Sequence, residues 1–526
     1  MFLCSSPRTG SASRPSSGGA RAAGRLLLIL ALPWLVVAPA TVAAQDRVLN
    51  LTLERMVDLG LDDSYGIRRL QLDIERTRSL LRAEQSSLKS RVEMQLATPQ
   101  FERISDYKWN SELQKDELVH ENTRRWEMDL SVRQPVILFG YPTNGTLSLN
   151  NRVYRYSQIG EDERDVRYYN RYFIEYEQPL FQPNQMQNDL EGAELDLERS
   201  ELEFQEDFIQ MVHALAEDYF ELLEAAYEGV IAAGRVEDLE QATAAADSLQ
   251  STDPARALDH DQLQVALANA REERQQAASS YRLQAENLKQ RLRLPPNDSV
   301  AVDPVLLVEP VQVDVVRAIE LAVSLAPRLR RVAIDLRESE ISLEQTRGRD
   351  SFRMDVGLTY GREMEDPRFG NVWQEPRNSY TINVDASIPI WDWGERRHRI
   401  QAQQYSKQRA ELGAEDTREQ IETSVRSEIR NLEEYEQRGI NMRANLELAQ
   451  QITASTLRRY RDGGVNLVDV LQTIEREADT AQNFLDAYLG YRNALLDLER
   501  LTFYDFQSQQ PLLDRYDIET YMTLQP

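Results

Sequence analysis

Cysteine is almost absent from this chain. Cys4 is the only cysteine among 526 residues. A disulfide framework is therefore excluded, and so is a metal site built from several thiolates. Cys4 lies in an N-terminal segment that we expect to be removed, so the mature protein should contain no thiol.

Motifs for common enzyme chemistry are also missing. The sequence has neither the glycine-rich loop that cradles nucleotide phosphates nor the glycine run of dinucleotide-binding domains. Its few histidines lack the His-Glu-x-x-His spacing of a zinc protease and do not cluster; they are His120, His213, His260 and His398. We therefore expect no enzymatic activity, no metal and no cofactor.

The N-terminus has the order of a secretory signal peptide. Basic residues precede an apolar run, residues 26–37, which is too short for a transmembrane helix. Small residues follow up to Gln45, and Val42 and Ala44 fit the rule for cleavage after residue 44. Cleavage after Ala40 is the alternative. The basic residues are Arg8, Arg14, Arg21 and Arg25.

Positive charge is in deficit. Removing residues 1–44 takes away four arginines and no acid, so 61 basic residues become 57 against 87 acidic ones, and the net charge goes from -26 to -30. Such a chain is a poor partner for nucleic acid. Glycine and proline are sparse as well, at 22 and 20 residues, which favours long helices.

The chain reads as two tandem copies of one unit. At a constant offset, Arg68, Arg69 and Asp73 align with Arg330, Arg331 and Asp335 without a gap. Chance likeness between amphipathic helices is the alternative, but these aligned charges go beyond simple periodicity. We predict a first repeat at 45–294, a proline-rich linker at 295–312, a second repeat at 313–504 and a C-terminal tail at 505–526.

Each repeat contains segments of alternating polarity. In the second repeat, residues 352–361 and 380–390 alternate apolar with polar side chains, which is the period of a strand. The corresponding strands of the first repeat are expected at 91–98 and 171–180. Between them lies an insertion, residues 101–170, that reads as a hairpin; whether it joins the sheet or decorates it is open.

Strands of this length, with aromatic residues near their ends, are typical of membrane-spanning β-strands. A half-buried strand of a soluble sandwich is the alternative. Backbone groups among lipid tails need partners, so a membrane sheet must close into a barrel, and four or six strands are too few. Several copies would have to pool their strands.

Two stretches predict very long helices, residues 185–248 and 395–460. Neither contains proline, and apolar residues recur at spacings of three and four, as in a helix-packing seam. Returning helices are expected at 257–292 and 465–501, with turns at Asp253-Pro254 and Gly463-Gly464. A coiled-coil scaffold without a pore is the alternative reading of the helices.

Two landmarks make the sequence resemble the TolC-like outer-membrane efflux proteins. The first is the strand-to-helix joint Ser387-Ile388-Pro389-Ile390-Trp391-Asp392-Trp393-Gly394, with a counterpart at Gln178-Pro179-Leu180-Phe181. The second is the helix turn Tyr460-Arg461-Asp462-Gly463-Gly464-Val465, which continues to Leu471. Together with the duplication, the likeness extends over nearly all of the mature chain.

The resemblance implies the fold and the partners. It implies a homotrimer with a transmembrane β-barrel, built from four or six strands per chain, and an all-α coiled-coil tunnel of long antiparallel periplasmic helices. The implied function is the outer-membrane channel of a tripartite efflux or type I secretion system. Its partners would be a periplasmic adaptor, an inner-membrane transporter and outer-membrane lipid.

The resemblance also implies a periplasmic gate. Asp259, Tyr460 and Asp469 match tip positions that the family uses in its gate and acidic ring, where repeated carboxylates favour cations. Capping of the helix N-termini by Asp259 and Asp469 is the alternative.

The chain departs from the family pattern at the expected gate. It has Leu258 where a polar residue is expected, Val465 at the place of a gating arginine, and Gln472 in place of a second acidic ring. Arg461 and Asp462 are substitute candidates for the gating contacts.

Overall fold

The structure is a computed structural model that describes residues 48–62, 64–110, 114–159, 164–250, 257–349 and 351–523. The predicted signal peptide, residues 1–44, and the predicted turn at Asp253-Pro254 lie outside the described residues. Within these ranges, no helix is both long enough and apolar enough to pass through a membrane.

Long helices account for most of the described chain. Two of them, of 66 and 67 residues, would each extend about 100 Å at 1.5 Å per residue. Each packs against the helix that follows it, so the two predicted helical hairpins are confirmed. The larger helices are α1 (Leu53–Asp62), α2 (Tyr65–Ser87), α3 (Gln185–Gln250), α4 (Ala257–Arg291), α5 (Val315–Leu325), α6 (Pro327–Arg349), α7 (Glu395–Arg461) and α8 (Leu467–Thr502).

Six strands form one antiparallel sheet in the order β2-β3-β4-β5-β7-β8. Strands β3 and β4 come from the predicted insertion and lie between β2 and β5, so the inserted hairpin is part of the sheet. The strands are β2 (Arg91–Asn110), β3 (Lys115–Leu138), β4 (Tyr141–Ile159), β5 (Arg164–Leu180), β7 (Arg353–Asp366) and β8 (Arg377–Ser387).

Two strands are longer than their alternation predicted. β2 continues to Asn110, where residue 98 was expected to end it, and β5 begins at Arg164 and not at residue 171. Backbone pairing continues beyond the alternating segment, for example between Phe101 and Arg124. The predicted bounds of the insertion, 101 and 170, therefore fall inside strands.

The two faces of this sheet differ in polarity. Cross-strand register places Met94, Leu130, Leu149, Ile174 and Tyr360 on one side, which we call the apolar face. All five are exposed, at 40% or more of their surface. Charged and small polar residues of the same strands lie on the opposite, polar face.

The region predicted as a linker, residues 295–312, is instead part of the core. It contains the strand β6 (Ser299–Val302), which pairs in parallel with β1 (Val48–Leu51). Val300, Val302 and Leu306 are buried there. Proline marked this segment as a joint, but its apolar residues have a cavity between the helices to fill.

The predicted C-terminal tail is also folded. Its short elements are β9 (Tyr504–Asp505), β10 (Gln510–Pro511), α9 (Leu512–Arg515) and α10 (Ile518–Tyr521). Leu512 and Ile518 are buried, and the rings of Tyr516 and Tyr521 lie 6.2 and 5.3 Å from the ring of Phe208 in α3. The tail therefore covers the core that α3 shares with α1 and α2.

Candidate functional site

The ends of the two helical hairpins meet in an apolar cluster that we call the tip cluster. It joins α3 and α4 of the first hairpin to α7 and α8 of the second, so the predicted gate residues are held on packed elements. Its buried members include Val236, Leu239, Leu263, Leu267, Leu457, Tyr460, Leu467, Val470 and Ile474.

Tyr460 lies in the middle of the tip cluster, with no exposed surface. Its hydroxyl donates to Asp259 Oδ2 at 3.5 Å, at the long limit for a hydrogen bond. The contact connects the second hairpin to the first. The structure thus brings together two of the predicted gate residues that are 201 positions apart.

Gly463 and Gly464 end helix α7 in a Schellman motif. The N–H of Gly463 donates to Tyr460 O at 2.9 Å and that of Gly464 donates to Arg459 O at 2.8 Å. Gly463 has a φ of +76°, the left-handed conformation that glycine adopts without steric cost. Arg461 and Asp462 are exposed just before this turn.

Asp469 is exposed in the first turn of α8, but it does not cap the helix. The cap is Asn466, whose side-chain oxygen accepts from the N–H of Asp469 at 2.8 Å. The carboxylate of Asp469 is therefore not needed for the cap. Leu258 and Gln472 are exposed nearby in sequence, whereas Val465 packs against the tip cluster.

Sequence reasoning missed two acidic residues of this region. Asp247 accepts an ion pair from His260, with 2.7 Å between Oδ1 and Nδ1. Burial, with Glu477 and Glu237 nearby, raises the pKa of Asp238 to about 6. Neither residue stands out in sequence, because acids are common on all these helices; only packing against α8 distinguishes Asp238.

The second strand-to-helix joint is built around Asp392. Its carboxylate accepts from the N–H groups of Gly394 at 2.9 Å and Arg396 at 3.0 Å, and these bonds lower the pKa of Asp392. Gly394 has a φ of +85° and opens α7, while Pro389 follows the end of β8. The carboxylate thus caps the helix that Gly394 begins.

The first joint is tied to the inserted hairpin. Next to Pro179, the Gln178 side chain donates from Nε2 to Thr143 O at 2.8 Å and accepts from the Tyr176 hydroxyl at 2.9 Å. Thr143 lies in the first residues of β4. A methyl group added to Gly145 would lie 2.3 Å from Gln178 Oε1, so the turn and the joint are closely packed.

A third copy of the joint lies inside the insertion and was not predicted. Pro135 is followed four and five residues later by Phe139 and Gly140, with φ angles of 52° and 88°. Pro389 is followed at the same spacing by Trp393 and Gly394, with φ of 54° and 85°. This spacing was the available signal, but β4 follows the turn where a helix follows Gly394.

Together, these features describe a positioned acidic tip and a set of rigid joints, with no arrangement for catalysis. Among the residues that the structure describes, no group of histidine, cysteine, aspartate or glutamate side chains could hold a metal ion.

Comparisons with known proteins agree with this architecture. Residues 318–502 match the family described as Outer membrane efflux protein. This segment corresponds closely to the predicted second repeat, 313–504. No curated protein matches the sequence significantly.

Solved structures resemble nearly the whole chain. CmeC, an outer membrane channel of Campylobacter jejuni, matches with a TM-score of 0.62 at 13% identity, over 92% of this chain and 94% of that one. The outer membrane protein VceC of Vibrio cholerae matches with a TM-score of 0.60 at 11% identity, over 86% and 96%.

A membrane protein from Pseudomonas aeruginosa matches with a TM-score of 0.62 at 17% identity, over 87% of this chain and 91% of that one. At these identities the likeness concerns the fold. On the domain matched in its second half and on this fold, the chain is a TolC-like outer-membrane efflux protein.

Proposed function

We propose that three copies of this chain form the outer-membrane channel of a tripartite efflux or type I secretion system. The channel would be a passive duct through the outer membrane and the periplasm of a Gram-negative-type envelope. Energy would come from an inner-membrane transporter, joined through a periplasmic adaptor that docks on the helical tip.

The observation that carries this proposal is a sheet that is incomplete in one chain. Strands β2 and β8 are its two edges, and neither has a further strand beside it in the described residues. Unpaired edge groups cost several kcal/mol each among lipid tails. Pairing β8 of one copy with β2 of the next would satisfy both edges.

The apolar face supports placing this sheet in a membrane. It exposes a broad band of large apolar side chains, which is unfavourable in water and suits lipid tails. Three copies of six strands would give an eighteen-stranded barrel, within the range known for such barrels. The polar face would then line the lumen.

Aromatic residues support the level of the membrane boundary. Phe139, Tyr141, Phe181, Trp391 and Trp393 lie at the ends of the strands nearest the helices and are 66% to 100% exposed. Aromatic side chains concentrate at both boundaries of membrane barrels. The long helices would therefore begin at the periplasmic boundary.

Conductance in planar bilayers tests the proposal. Purified full-length protein should insert and give discrete conductance steps, and its mass in detergent should be that of a trimer. The alternative from another class, a coiled-coil scaffold without a pore, predicts no conductance. A monomer that stays soluble without detergent would contradict the proposal.

The acidic tip supports a gate that favours cations. Asp259 lies at the contact with Tyr460 between the hairpins, and Asp469 is free of the capping role. Threefold repetition would place three copies of each carboxylate around one opening, which raises the local negative potential. Opening would require the hairpins to separate at the tip cluster.

A further inference from the structure

Arginines of the sheet fall into two groups according to their face. On the polar face, Arg125 pairs with Glu127 at 2.9 Å, and Arg152 pairs with Asp129 at 2.6 Å. Arg171 lies 4.0 Å from Glu363 on the same face. Each of these cations has a carboxylate partner.

On the apolar face, four arginines occupy a special position. On each of four strands, reading away from the helices, the first charged residue of this face is an arginine. They are Arg103 on β2, Arg124 on β3, Arg155 on β4 and Arg362 on β7. No acid precedes them on this face.

These four arginines have no ion-pair partner among the described residues. Arg124 lies over the ring of Phe101 at 5.0 Å, and Arg155 lies 6.0 Å from the ring of Tyr168. Arg362 donates to a backbone oxygen, Pro376 O, at 3.4 Å. Their charges are therefore uncompensated, in contrast to those of the polar face.

Arg155 borders an apolar groove of about 380 Å³. Leu96, Met128 and Val153 line it from the strands, and Phe369 lines it from the segment between β7 and β8. That segment forms a short 3-10 helix, Phe369–Trp373, which folds onto the apolar face. A cation thus stands at the end of a surface that fits a hydrocarbon chain.

The segment also removes the one polar pair in the middle of this face. Asn151 Nδ2 donates to Asn170 Oδ1 at 2.8 Å, and Asn170 Nδ2 donates to Val372 O at 3.3 Å. Asn170 is 1% exposed as a result. The groove is left apolar, and the arginines remain its only charges.

We propose that the arginines Arg103, Arg124, Arg155 and Arg362 bind the phosphate groups of anionic lipid, with an acyl chain in the groove beside Arg155. The inference rests on the proposed function, because the apolar face must lie in lipid. A charged side chain on a lipid face is tolerated near the headgroups. Guanidinium groups bind phosphate with paired hydrogen bonds.

The far ends of these strands would lie in the outer leaflet, since the helices leave from the opposite ends. Lipid that presents phosphate there would neutralise the four charges. Neutral lipid would fill the groove but leave the arginines unpaired, so the site should discriminate by headgroup charge.

Native mass spectrometry of the full-length protein in neutral detergent can measure this. Phosphatidylglycerol should bind about tenfold more tightly than phosphatidylcholine. The double variant Arg155→Gln/Arg362→Gln should lose most of this preference, and Arg362→Gln alone should lose part of it. Arg377→Gln, an exposed arginine on the polar face of β8, is the matched control and should keep the preference.

Two outcomes would overturn the inference: equal binding of both lipids by the wild-type chain, or an unchanged preference in the double variant. Displacement of phosphatidylglycerol by millimolar inorganic phosphate would also overturn it, because the site would then take free anions. Conductance in bilayers of phosphatidylcholine alone separates the two proposals, since the channel should form there whether or not the lipid site exists.

Discussion

Asn466 and Asp469 divide two tasks at the start of α8. Asn466 accepts the N–H bond that starts the helix, and the Asp469 carboxylate is exposed. Because the cap does not depend on the carboxylate, its charge can be removed without undoing the turn. This separates the gate reading from the capping reading.

Asp469→Asn should therefore leave the melting temperature nearly unchanged while weakening cation block at the periplasmic entrance. The physical reason is the loss of three repeated charges around one opening. Single-channel recordings over a series of divalent cations measure the block. Asp479→Asn, an exposed acid further along α8, is the control; an unchanged block in Asp469→Asn would remove this residue from the gate.

Gly463→Ala should destabilise the end of α7, because a side chain in the left-handed region costs about 1–2 kcal/mol and φ is +76° here. Gly464→Ala is the matched control: its φ is not in that region, and the added methyl meets Arg459 O at 3.4 Å. Limited proteolysis should cut the tip faster in the first variant. Equal rates would show that the turn tolerates a side chain.

Glu499 predicts a pH dependence of stability. It is 7% exposed, and burial, with Asp505 nearby, raises its pKa to about 8 against the opposing effect of Arg515 and Arg492. The folded state thus favours the neutral acid. Stability from this group is present at low pH and is lost as pH rises from about 4.5 towards 8.

Glu499→Gln should therefore raise stability at pH 8 relative to pH 6.5, by about 2 kcal/mol at 1.4 kcal/mol per pH unit. Melting curves at both pH values measure the change. Glu475→Gln, an exposed glutamate on the same helix, should give none. If both variants follow the wild-type profile, Glu499 does not titrate in this range.

At the scale of elements, the inserted hairpin is held at the joint that starts α3. Gln178 makes this connection through Thr143 and Tyr176, and Gly145 leaves space for its side-chain oxygen. The hairpin is thus fixed both by pairing with its neighbouring strands and by its turn.

Gln178→Ala should lower the stability of the folded sheet by about 1–3 kcal/mol, because buried polar groups lose their partners. Gly145→Ala should also destabilise, since its methyl collides with Gln178 Oε1. The double variant should recover part of this second loss. Unfolding in denaturant measures all three, with Gln182→Ala as the exposed control; simple additivity would mean that the two residues do not interact.

At the scale of the whole molecule, one described chain has an open sheet and two free edges. Closure would depend on neighbouring copies, so assembly and membrane insertion should be coupled. The polar faces of β2 and β8 then approach each other across every subunit boundary.

Cysteine pairs across these edges should cross-link copies into trimers. Gln95→Cys on β2, combined in turn with Ser379→Cys, Thr381→Cys or Asn383→Cys on β8, should give a ladder that ends at three chains. The natural sequence offers only Cys4 as background. Thr359→Cys on the central strand β7, paired with Gln95→Cys, is the control; ladders that continue beyond three would rule out the proposed closure.

The sequence alone determined the long helices, the alternating strands and the turns, because each is a local pattern with its own period. Gly463-Gly464 and the joint from Pro389 to Gly394 were readable for the same reason: their backbone angles restrict which residues can stand there. The family resemblance followed from these local signatures.

Only the tertiary structure decided what distant residues do together. It placed the inserted hairpin between β2 and β5, brought Tyr460 to Asp259, and gave the proline-rich segment and the C-terminal tail places in the core. It also distinguished the unpaired Arg155 from the paired Arg152. Burial and partners across the fold depend on contacts between distant segments, and no local period encodes them.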